Sequence, residues 1–536
     1  MHSDRILLSG DEAVAMAARD GHVMLGTGYP GTPSTEILEA FSELGGRAQW
    51  SPNEKVALEV AIGAAFAGAR AICTMKHVGL NVAADPLFTV AYTGVKGALV
   101  IVSADDPGMS SSQNEQDNRR YAVAAGVPML EPADSQEAYD FTLLAIEISE
   151  RWEIPVLLRM TTRVCHSHTV VHPRPPAAEP PEPHFERDVA HRVMIPAYAR
   201  PSHLRLRAKL DAIAQWNETE GPNRVIPGGA RGIITSGISC LHVREAAPEA
   251  SVLKLGMTHP LPLAAMGEFA RAHKGAIVVE EGDPYLADAA RAAGLAVETK
   301  PDVFRFGELN VDRVRRLLKG DASPEAAPPP GKPPELCPGC PHRTVFTALR
   351  DLGCIVAGDI GCYTLGVLPP FNALDTCVCM GAGITVGLGL RQVLPPEEAR
   401  RVVSVIGDST FLHSGITGLV EAVYNPPATG HLTIILDNGT TAMTGMQEHP
   451  GTGRSLDHGR AGKVIFEDLV EALGMARPVV MDPTLDPAGF QSLVKEALES
   501  GAIRVIIARR DCLLATSKIK SYEQALKPEA CLVLAE

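Results

Sequence analysis

The chain has 536 residues, of which 45% are apolar and 21% charged, a composition ordinary for a globular protein of about three domains. The net charge of −14 argues against nucleic acid and anionic membranes as main partners. No apolar run is long enough to span a bilayer, and the first residues do not form a secretory signal. We therefore expect a cytoplasmic protein whose 11 cysteines are not paired in disulfides.

The predicted elements of residues 1–171 alternate apolar strands with Ala-rich helical segments. The strands are expected in the runs GHVMLGTGY, ARAICTMK, ALVIVSADD and IPVLLRM. Such alternation is typical of a parallel, doubly wound sheet. A Pro-rich linker and a mostly helical segment follow at 172–227, and the runs RGIITSG, SVLKLG and AIVVEEG predict a second α/β unit at 228–321.

A second Pro-rich linker is predicted at 322–335, where the sequence reads ASPEAAPPPGKPPE. The third α/β unit spans 336–520, with strands expected in CIVAGDI, RVVSVIGD, LTIILDN and IRVIIARR, and residues 521–536 form a C-terminal tail. The first and third units follow the same architecture. The sequence thus predicts an α/β protein built from three doubly wound parallel-sheet domains.

Two polar side chains mark the ends of neighbouring strands in the third unit. The strand RVVSVI leads directly into Gly407, Asp408 and Ser409, and the strand LTIILDN ends at Asn438. Because ligands bind beyond the carboxyl ends of parallel strands, Asp408 and Asn438 are expected side by side, offering the oxygen ligands that Mg²⁺ prefers. Gly407 would admit a diphosphate, and the helix start at Ser409 and Thr410 would donate amides to it. A simple strand-to-helix turn with an N-cap is the alternative.

The spacing of this motif resembles the thiamine-diphosphate signature, in which GDG or GDS is followed after nearly thirty residues by an asparagine. In that family the backbone carbonyl two residues after the asparagine completes the metal shell, and this position is Thr440 here. The run TAMTGMQEHPGTG, which contains Met443, is similar to the corresponding segment of 2-oxoacid:ferredoxin oxidoreductases. The resemblance implies bound thiamine diphosphate and Mg²⁺, with Met443 among the cofactor-binding residues.

Thiamine enzymes also need a glutamate from a different unit, which hydrogen-bonds N1′ of the aminopyrimidine and activates the cofactor. The candidates here are Glu54 and Glu59 in the run SPNEKVALEVAIGAAFAGAR. This run resembles the pyrimidine-binding region of the oxidoreductase family, and the alignment places Glu54 at the catalytic position. A plain carboxylate at a helix N-terminus is the alternative for Glu54.

Three further residues of the first unit are candidates for substrate binding. The run GTGYPGTPSTEI resembles the YP-x-TPS turn of the same family, in which the hydroxyl that corresponds to Thr32 contacts the substrate carboxylate. Lys76 and His77 follow the strand ARAICTM and are expected at the same edge of the sheet. They could bind the carboxylate or relay protons, or be a solvated lysine and a packed histidine.

Four cysteines of the third unit form a second motif. Cys337 and Cys340 stand in CPGC, Cys362 ends DIGC, and Cys512 ends RDC. This order resembles the beta subunits of 2-oxoacid:ferredoxin oxidoreductases, in which CPGC, GIGC and SPC hold a [4Fe–4S] cluster. The resemblance implies the same ligation here. The alternatives are zinc, unligated buried thiols, or ligation by Cys377 and Cys379.

Longer strings, among them MKHVGLNVAADPL, SSSQNEQDNRRYA, CPGCPHRTVF, DIGCYTLGVLPPF and DNGTTAMTGMQEHP, extend the resemblance over nearly the whole chain. They are similar to the indolepyruvate:ferredoxin oxidoreductase alpha-subunit family. This resemblance implies oxidative decarboxylation of aryl pyruvates with coenzyme A (CoA) to acyl-CoA and CO₂, with electrons passing to ferredoxin. It also implies a smaller beta subunit. We expect a dimer or a higher oligomer.

One departure concerns the end of the chain. The family's alpha subunit ends in a ferredoxin-like domain with two cluster motifs, whereas the sequence here ends in KPEACLVLAE, with Cys531 near the first expected ligand. The electron acceptor is therefore open between ferredoxin and another partner. Two other functions are alternatives to this interpretation. One is a non-oxidative thiamine-dependent decarboxylase or carboligase, and the other is a non-catalytic scaffold subunit.

Overall fold

The computed structural model of the protein describes residues 5–273, 275–325 and 334–525. The chain divides into two compact units between residues 327 and 328, a junction that lies inside the predicted linker 322–335. Cys531 lies outside the described residues. The two units are described in turn.

The first unit is built around a seven-stranded sheet whose strands lie in the order β12-β6-β7-β5-β4-β2-β3. Its strands are β2 (Leu25–Gly28), β3 (Ala48–Trp50), β4 (Ala71–Lys76), β5 (Leu99–Asp105), β6 (Met129–Leu130), β7 (Val156–Thr161) and β12 (Met257–His259). All pairs are parallel except β12 with β6. β4, β5 and β7 are buried along their whole length, which explains their nearly continuous apolar sequences.

Helices cover this sheet, and a short antiparallel pair, β1 (Ile6–Leu8) with β8 (Thr169–Val171), lies beside it. The helices are α1 (Gly10–Asp20), α2 (Thr35–Glu43), α3 (Glu54–Phe66), α4 (His77–Val82), α5 (Ala84–Thr93), α6 (Arg119–Ala125), α7 (Ser135–Trp152), α8 (Thr162–His166), α9 (Val189–Arg192) and α10 (Pro196–Thr219). The local sequence determines where several of these helices begin. Ser9 and Glu12 form a capping box at α1, and the side chains of Asn53 and Asp134 cap α3 and α7.

A second sheet of the first unit has the order β14-β13-β10-β11-β9, with only β9 antiparallel to its neighbour. Its strands are β9 (Arg224–Ile226), β10 (Gly232–Ser236), β11 (Ser251–Leu255), β13 (Ile277–Val279) and β14 (Glu298–Thr299). Its helices are α11 (Ser239–Ala246), α12 (Leu263–Ala272), α13 (Tyr285–Ala292) and α14 (Val311–Leu318), with a 3₁₀ turn at Asp302–Phe304. The next strand after β11, β12, leaves this sheet and joins the first one.

The second unit contains one parallel sheet in the order β15-β16-β17-β19-β18. Its strands are β15 (Ile355–Ala357), β16 (Val402–Gly407), β17 (His431–Asp437), β18 (Val479–Met481) and β19 (Ile503–Arg509). Its helices are α15 (Pro341–Asp351), α16 (Ala382–Val393), α17 (Pro396–Ala399), α18 (Asp408–Thr410), α19 (Ile416–Tyr424), α20 (Phe466–Ala472), α21 (Pro487–Glu499) and α22 (Thr516–Ala525). 3₁₀ turns lie at Cys362–Val367 and Ala442–Thr444, and a π-helical turn at Phe411–Gly415.

Two apolar cores, one on each face, support the sheet of the second unit. The predicted α/β class with doubly wound, mainly parallel sheets is confirmed. Among the described residues, no helix is both long and apolar enough to cross a bilayer.

Candidate active site

Asp408 stands at the tip of β16, one residue beyond the register pair that joins Gly407 to Leu436 on β17. Its Oδ2 accepts the backbone amides of Asn438 at 3.1 Å and Gly439 at 2.8 Å, and its Oδ1 accepts the amide of Ser409 at 2.7 Å. The predicted juxtaposition of Asp408 and Asn438 is therefore present in the second unit. The cause is the parallel pairing of β16 and β17, which brings both strand ends to one edge.

The charge on Asp408 is stabilised by its surroundings. Burial favours the neutral acid, but His449, whose Nε2 lies 3.3 Å from Oδ2, and the neighbouring amides outweigh it and hold the pKa of Asp408 below its usual range. The carboxylate is thus ionised at neutral pH, as a metal ligand must be. Sequence reasoning did not single out His449. Its only signal was its position within the run TAMTGMQEHPGTG.

The loop after Asn438 folds over the two strand tips. Asn438 Oδ1 accepts the amide of Thr440 at 3.2 Å, and the Thr440 hydroxyl donates to the carbonyl of Gln447 at 3.2 Å. The Thr441 hydroxyl donates to Ser409 Oγ at 2.9 Å, which ties this loop to the start of α18. Met443 lies in the 3₁₀ turn of the same loop and is 51% exposed.

The remaining residues of the predicted diphosphate site have partners within the protein. A Cβ at Gly407 would stand 2.8 Å from the Tyr363 ring, so the close approach of Tyr363 already requires glycine there. Thr410 Oγ1 donates to the carbonyl of Ile360 at 3.0 Å. The π-helical turn that follows at Phe411–Gly415 is a feature often found at functional sites.

The chemistry of this donor set can be compared with what Mg²⁺ and a diphosphate require. Asp408 supplies an ionised carboxylate, Asn438 a side-chain carbonyl, and Thr440 a backbone carbonyl in the loop above them. These are hard oxygen donors, and Mg²⁺ is typically bound by one or two such protein ligands together with phosphate oxygens and water. The residues present fit the metal and its diphosphate.

In the first unit, Glu54 is the first residue of α3 and is only 5% exposed. Its carboxylate packs against Gly79 at the start of α4, since a Cβ at Gly79 would stand 2.5 Å from Glu54 Oε1. Glu59, the competing candidate, is exposed and forms an ion pair with Lys55 on the surface of the same helix. Only Glu54 is therefore held in a defined, buried position.

Thr32 follows β2, and Lys76 is the last residue of the neighbouring parallel strand β4. Thr32 lies in the turn before α2, and a Cβ at the adjacent Gly31 would stand 3.0 Å from Lys76 Cβ. Lys76 Nζ donates to the carbonyl and hydroxyl oxygens of Ser111 at 2.8 and 3.1 Å. Burial lowers the pKa of Lys76 to about 8, although the Asp106 carboxylate opposes this shift.

His77 is fully buried beside Lys76, with its Nε2 3.1 Å from Asn114 Oδ1. Its backbone carbonyl accepts the side-chain amides of Gln116 at 3.1 Å and Asn118 at 3.0 Å. These contacts connect the edge of the sheet that carries Lys76 to the segment between β5 and α6. The ring of His77 is thus a packed side chain held by this segment.

The four cysteines of the predicted cluster motif lie in one neighbourhood of the second unit. The Cys340 amide donates to the Cys337 carbonyl at 3.0 Å, and the Cys512 amide donates to the carbonyl of Asn438 at 2.9 Å. Burial, followed by the nearby thiols of Cys512, Cys340 and Cys337, raises the pKa of Cys362 to about 11. The competing pair interacts with a different group, because burial and the Asp359 carboxylate raise the pKa values of Cys377 and Cys379.

The chemistry of these four thiols can be compared with what zinc and an iron–sulfur cluster require. Within the described residues, which include all four thiols, no three of the sulfurs lie within 4.8 Å of one another. Tetrahedral zinc would require sulfurs about 3.8 Å apart, given a Zn–S distance of about 2.3 Å. Four cysteine thiolates are the usual ligands of a [4Fe–4S] cluster, so the donor set fits one.

Asp359 is a further buried carboxylate near this site that sequence reasoning missed. It accepts the backbone amides of Gly381 at 2.9 Å, Gly383 at 2.8 Å and Ile360 at 2.8 Å. Burial nevertheless raises the pKa of Asp359 to about 6. It holds the start of α16 against the turn that leads to Cys362, and its only sequence signal was its place in DIGC.

Two families match separate parts of this chain. Residues 16–218 match the thiamine-diphosphate-binding domain of pyruvate flavodoxin/ferredoxin oxidoreductases, and residues 359–508 match the C-terminal TPP-binding domain of thiamine pyrophosphate enzymes. The first range contains Glu54, Thr32, Lys76 and His77, and the second contains Asp408 and Asn438.

Sequence similarity to other proteins extends over nearly the whole chain. The indolepyruvate oxidoreductase subunit IorA of Archaeoglobus fulgidus is 40% identical, over 97% of this chain and 88% of that protein. IorA of Methanothermobacter thermautotrophicus is 39% identical, over 98% and 90%. A solved 2-oxoglutarate:ferredoxin oxidoreductase from Magnetococcus marinus has a TM-score of 0.51 at 18% identity, covering 60% of this chain and 65% of that one, and supports the fold alone.

Proposed function

The chain belongs to the family of the indolepyruvate oxidoreductase subunit IorA, and from that premise we propose that it is the thiamine-diphosphate-binding subunit of an aryl pyruvate oxidoreductase. The family resemblance drawn from its sequence is confirmed. The observation that carries the proposal is the pairing of Asp408 with Asn438 at adjacent strand tips, with His449 Nε2 3.3 Å from the Asp408 carboxylate. The proposal assigns this pair to the Mg²⁺ that anchors the cofactor's diphosphate.

Each unit contains candidate cofactor-binding residues, which would act within one chain or between two chains. Asp408, the Asn438 side chain and the Thr440 carbonyl would bind Mg²⁺, while Ser409 and Met443 would line the cofactor, together with Gly407 and Thr410. When bound, thiamine diphosphate supplies a nucleophilic carbon and an electron sink for the decarboxylation of a 2-oxoacid. The buried position of Glu54 suits a carboxyl that holds a proton at N1′ of the aminopyrimidine.

The substrate carboxylate would be recognised in the first unit. Thr32 offers a hydroxyl and Lys76 an ammonium group on neighbouring strand ends, and a cation next to a hydroxyl donor is a common carboxylate site. His77 is buried and bound to the segment that also contacts Lys76, so its proposed role is to position the lysine. In this proposal these residues orient the 2-oxoacid, and Lys76 and His77 could also relay protons.

The electron balance requires an acceptor. The proposed overall reaction converts R–CO–COO⁻ and CoA-SH to R–CO–S-CoA, CO₂, one proton and two electrons. Cys337, Cys340, Cys362 and Cys512 would hold a [4Fe–4S] cluster, which supplies one-electron transfer when bound. A smaller beta subunit, and ferredoxin or another acceptor, would complete the enzyme, and the assembly would be a dimer or larger.

The central test is cofactor binding by an Asp408→Asn variant. The protein is purified without oxygen, titrated with thiamine diphosphate and Mg²⁺, and assayed with its partner subunit on indolepyruvate and phenylpyruvate with CoA and a dye acceptor. Asp408→Asn should lose cofactor binding by at least about 100-fold and lose activity. Asp457→Asn, a change at an exposed carboxylate of the same unit, should behave as wild type. If the wild-type protein binds no thiamine diphosphate, the proposal is wrong.

A second measurement distinguishes oxidative from non-oxidative chemistry. Wild type and Cys379→Ser should contain iron and sulfide, whereas Cys512→Ser should lose most of both and lose dye reduction. A colourless, iron-free wild-type protein that releases aldehyde from phenylpyruvate would instead identify a non-oxidative decarboxylase. The two outcomes differ in iron content and in product, so one preparation decides between them.

A further inference from the structure

Three side chains from separate helices of the first unit converge away from the residues described above. Asp11 is the second residue of α1, Glu36 the second of α2, and His166 the last of α8. One carboxylate oxygen of each acid and one ring nitrogen of His166 all lie within 4.8 Å of one another. Because these residues are far apart in the sequence, only the packing of α1 against α2 and α8 brings them together.

Asp11 is the unusual member of this group. It is 1% exposed, and neither of its carboxylate oxygens accepts a hydrogen bond from an N–H or O–H donor of any described residue. Burial and the negative charge of Glu36 raise its pKa well above the usual range, and the weak donor Cys165 opposes this only in part. A buried carboxyl without donors is costly unless something compensates for it.

Helix capping does not explain why the Asp11 carboxyl group is buried. The capping box of α1 is made by its neighbours, because the Glu12 amide donates to Ser9 Oγ at 3.1 Å and the Ser9 amide donates to Glu12 Oε2 at 2.7 Å. The dipole of α1 would stabilise a carboxylate at this position. An exposed carboxylate would be stabilised in the same way, so the dipole does not explain the burial. The carboxylate of Asp11 instead points into the space shared with Glu36 and His166.

We propose that Asp11, Glu36 and His166 bind a divalent transition-metal ion. Two carboxylates and one imidazole are suited to Mn²⁺, Fe²⁺ or Zn²⁺, whereas Mg²⁺ prefers oxygen donors alone. Glu36 and His166 are exposed, so the ion could enter from solvent and keep water in its open positions. Its positive charge would stabilise the buried carboxylate of Asp11.

This metal site is separate from the proposed thiamine site and shares no residue with it. The ion would link the helices α1, α2 and α8. One of them, α2, begins three residues after Thr32, so bound metal would also stabilise the turn that carries Thr32. We therefore expect the ion to raise the thermal stability of the protein without being needed for thiamine binding.

The probe is Mn²⁺ alone, because thiolates bind it less readily than Zn²⁺ and its free form is counted directly by electron paramagnetic resonance. The metal-stripped full chain is titrated without thiamine diphosphate, as wild type and as Asp408→Asn. Both should bind one Mn²⁺ at this site, and the melting temperature should rise with Mn²⁺. Glu36→Gln and His166→Gln should each weaken binding at least about tenfold and reduce the thermal shift.

The control is Glu43→Gln, an exposed carboxylate on the same helix as Glu36, which should bind Mn²⁺ as wild type does. Glu36 and His166 are exposed, so their variants are expected to fold, and Asp11→Asn provides a third test. The proposal is overturned if wild type binds no Mn²⁺, or if all three variants bind it as well as Glu43→Gln. Loss of thiamine binding in Asp408→Asn would leave this result unchanged.

Discussion

The Glu54 carboxylate occupies the space where a side chain at Gly79 would begin. A Cβ at Gly79 would stand 2.5 Å from Glu54 Oε1 and 2.7 Å from its Cγ, closer than non-bonded atoms approach. Gly79 lies on α4, two residues after His77, and Glu54 opens α3. The absence of a side chain on one helix thus allows the glutamate of another to lie buried at this edge of the sheet.

Gly79→Ala should therefore displace Glu54. We expect turnover to fall by about 100-fold, since misplacing a catalytic group by about 1 Å can have that effect. Overpacking should also lower the free energy of unfolding by about 1–3 kcal/mol. Steady-state assays and chemical denaturation measure the two effects. Gly63→Ala, on the same helix as Glu54 and facing open space, should keep its activity and gain about 0.5–1 kcal/mol.

Glu54→Gln tests the proposed proton transfer directly. The amide has nearly the same shape and can still pack over Gly79, but it cannot exchange a proton with the aminopyrimidine. We expect turnover to fall by about 10² to 10⁴-fold while thiamine diphosphate remains bound, measured by activity assay and cofactor titration. Glu59→Gln changes an exposed glutamate of the same helix and should be neutral. Equal activity of the two variants would rule out Glu54 as the activating acid.

The lowered pKa of Lys76 predicts that substrate binding depends on pH. Its pKa is lowered to about 8, mainly by burial, so the side chain is charged below that pH and neutral above it. If the ammonium binds the 2-oxoacid carboxylate, KM should rise about tenfold for each pH unit above the pKa, with little change in kcat. Lys76→Met should raise KM at neutral pH and abolish this rise. Lys96→Met, at an exposed lysine, should keep the wild-type profile; a wild-type KM that is flat with pH would contradict the proposed role.

The buried position of Arg119 predicts that replacing this residue lowers the stability of the folded protein. Its guanidinium is 1% exposed and donates to Asp117 at 2.6 Å, to Glu280 at 2.6 Å and to the carbonyl of Glu281 at 2.7 Å. Removing one partner of a buried ion pair leaves uncompensated charge, so Arg119→Ala should lower the free energy of unfolding by about 3–5 kcal/mol. Denaturant titration measures this change.

The control for Arg119 is its sequence neighbour. Arg120 is 54% exposed, and its nitrogens lie 3.8 and 3.9 Å from the carboxylates of Asp283 and Asp288. Exposed ion pairs contribute little, so Arg120→Ala should change the free energy of unfolding by less than about 0.5 kcal/mol. A similar loss in both variants would show that the buried network contributes nothing specific.

Local patterns were sufficient to predict the strand tips. Asp408 directly follows one buried apolar run and Asn438 ends another, and parallel strands place such ends at one edge. The resemblance of CPGC, DIGC and RDC to a cluster motif of the oxidoreductase family predicts that these four cysteines act together, and this stays a prediction. The strand ends depend on near neighbours in the chain and on a general rule of sheet topology, so they could be predicted without coordinates, whereas the cysteine prediction depends on the family resemblance.

Other features depended on contacts between distant residues. The sequence by itself determined the α/β class, the strand ends that carry Asp408 and Asn438, and the family. Tertiary structure alone decided that Glu54 is buried against Gly79 of another helix while Glu59 is exposed on the surface. It alone paired His449 with Asp408 and brought Asp11, Glu36 and His166 together. Burial and charge pairing depend on how helices pack over the sheet, which local sequence patterns do not encode.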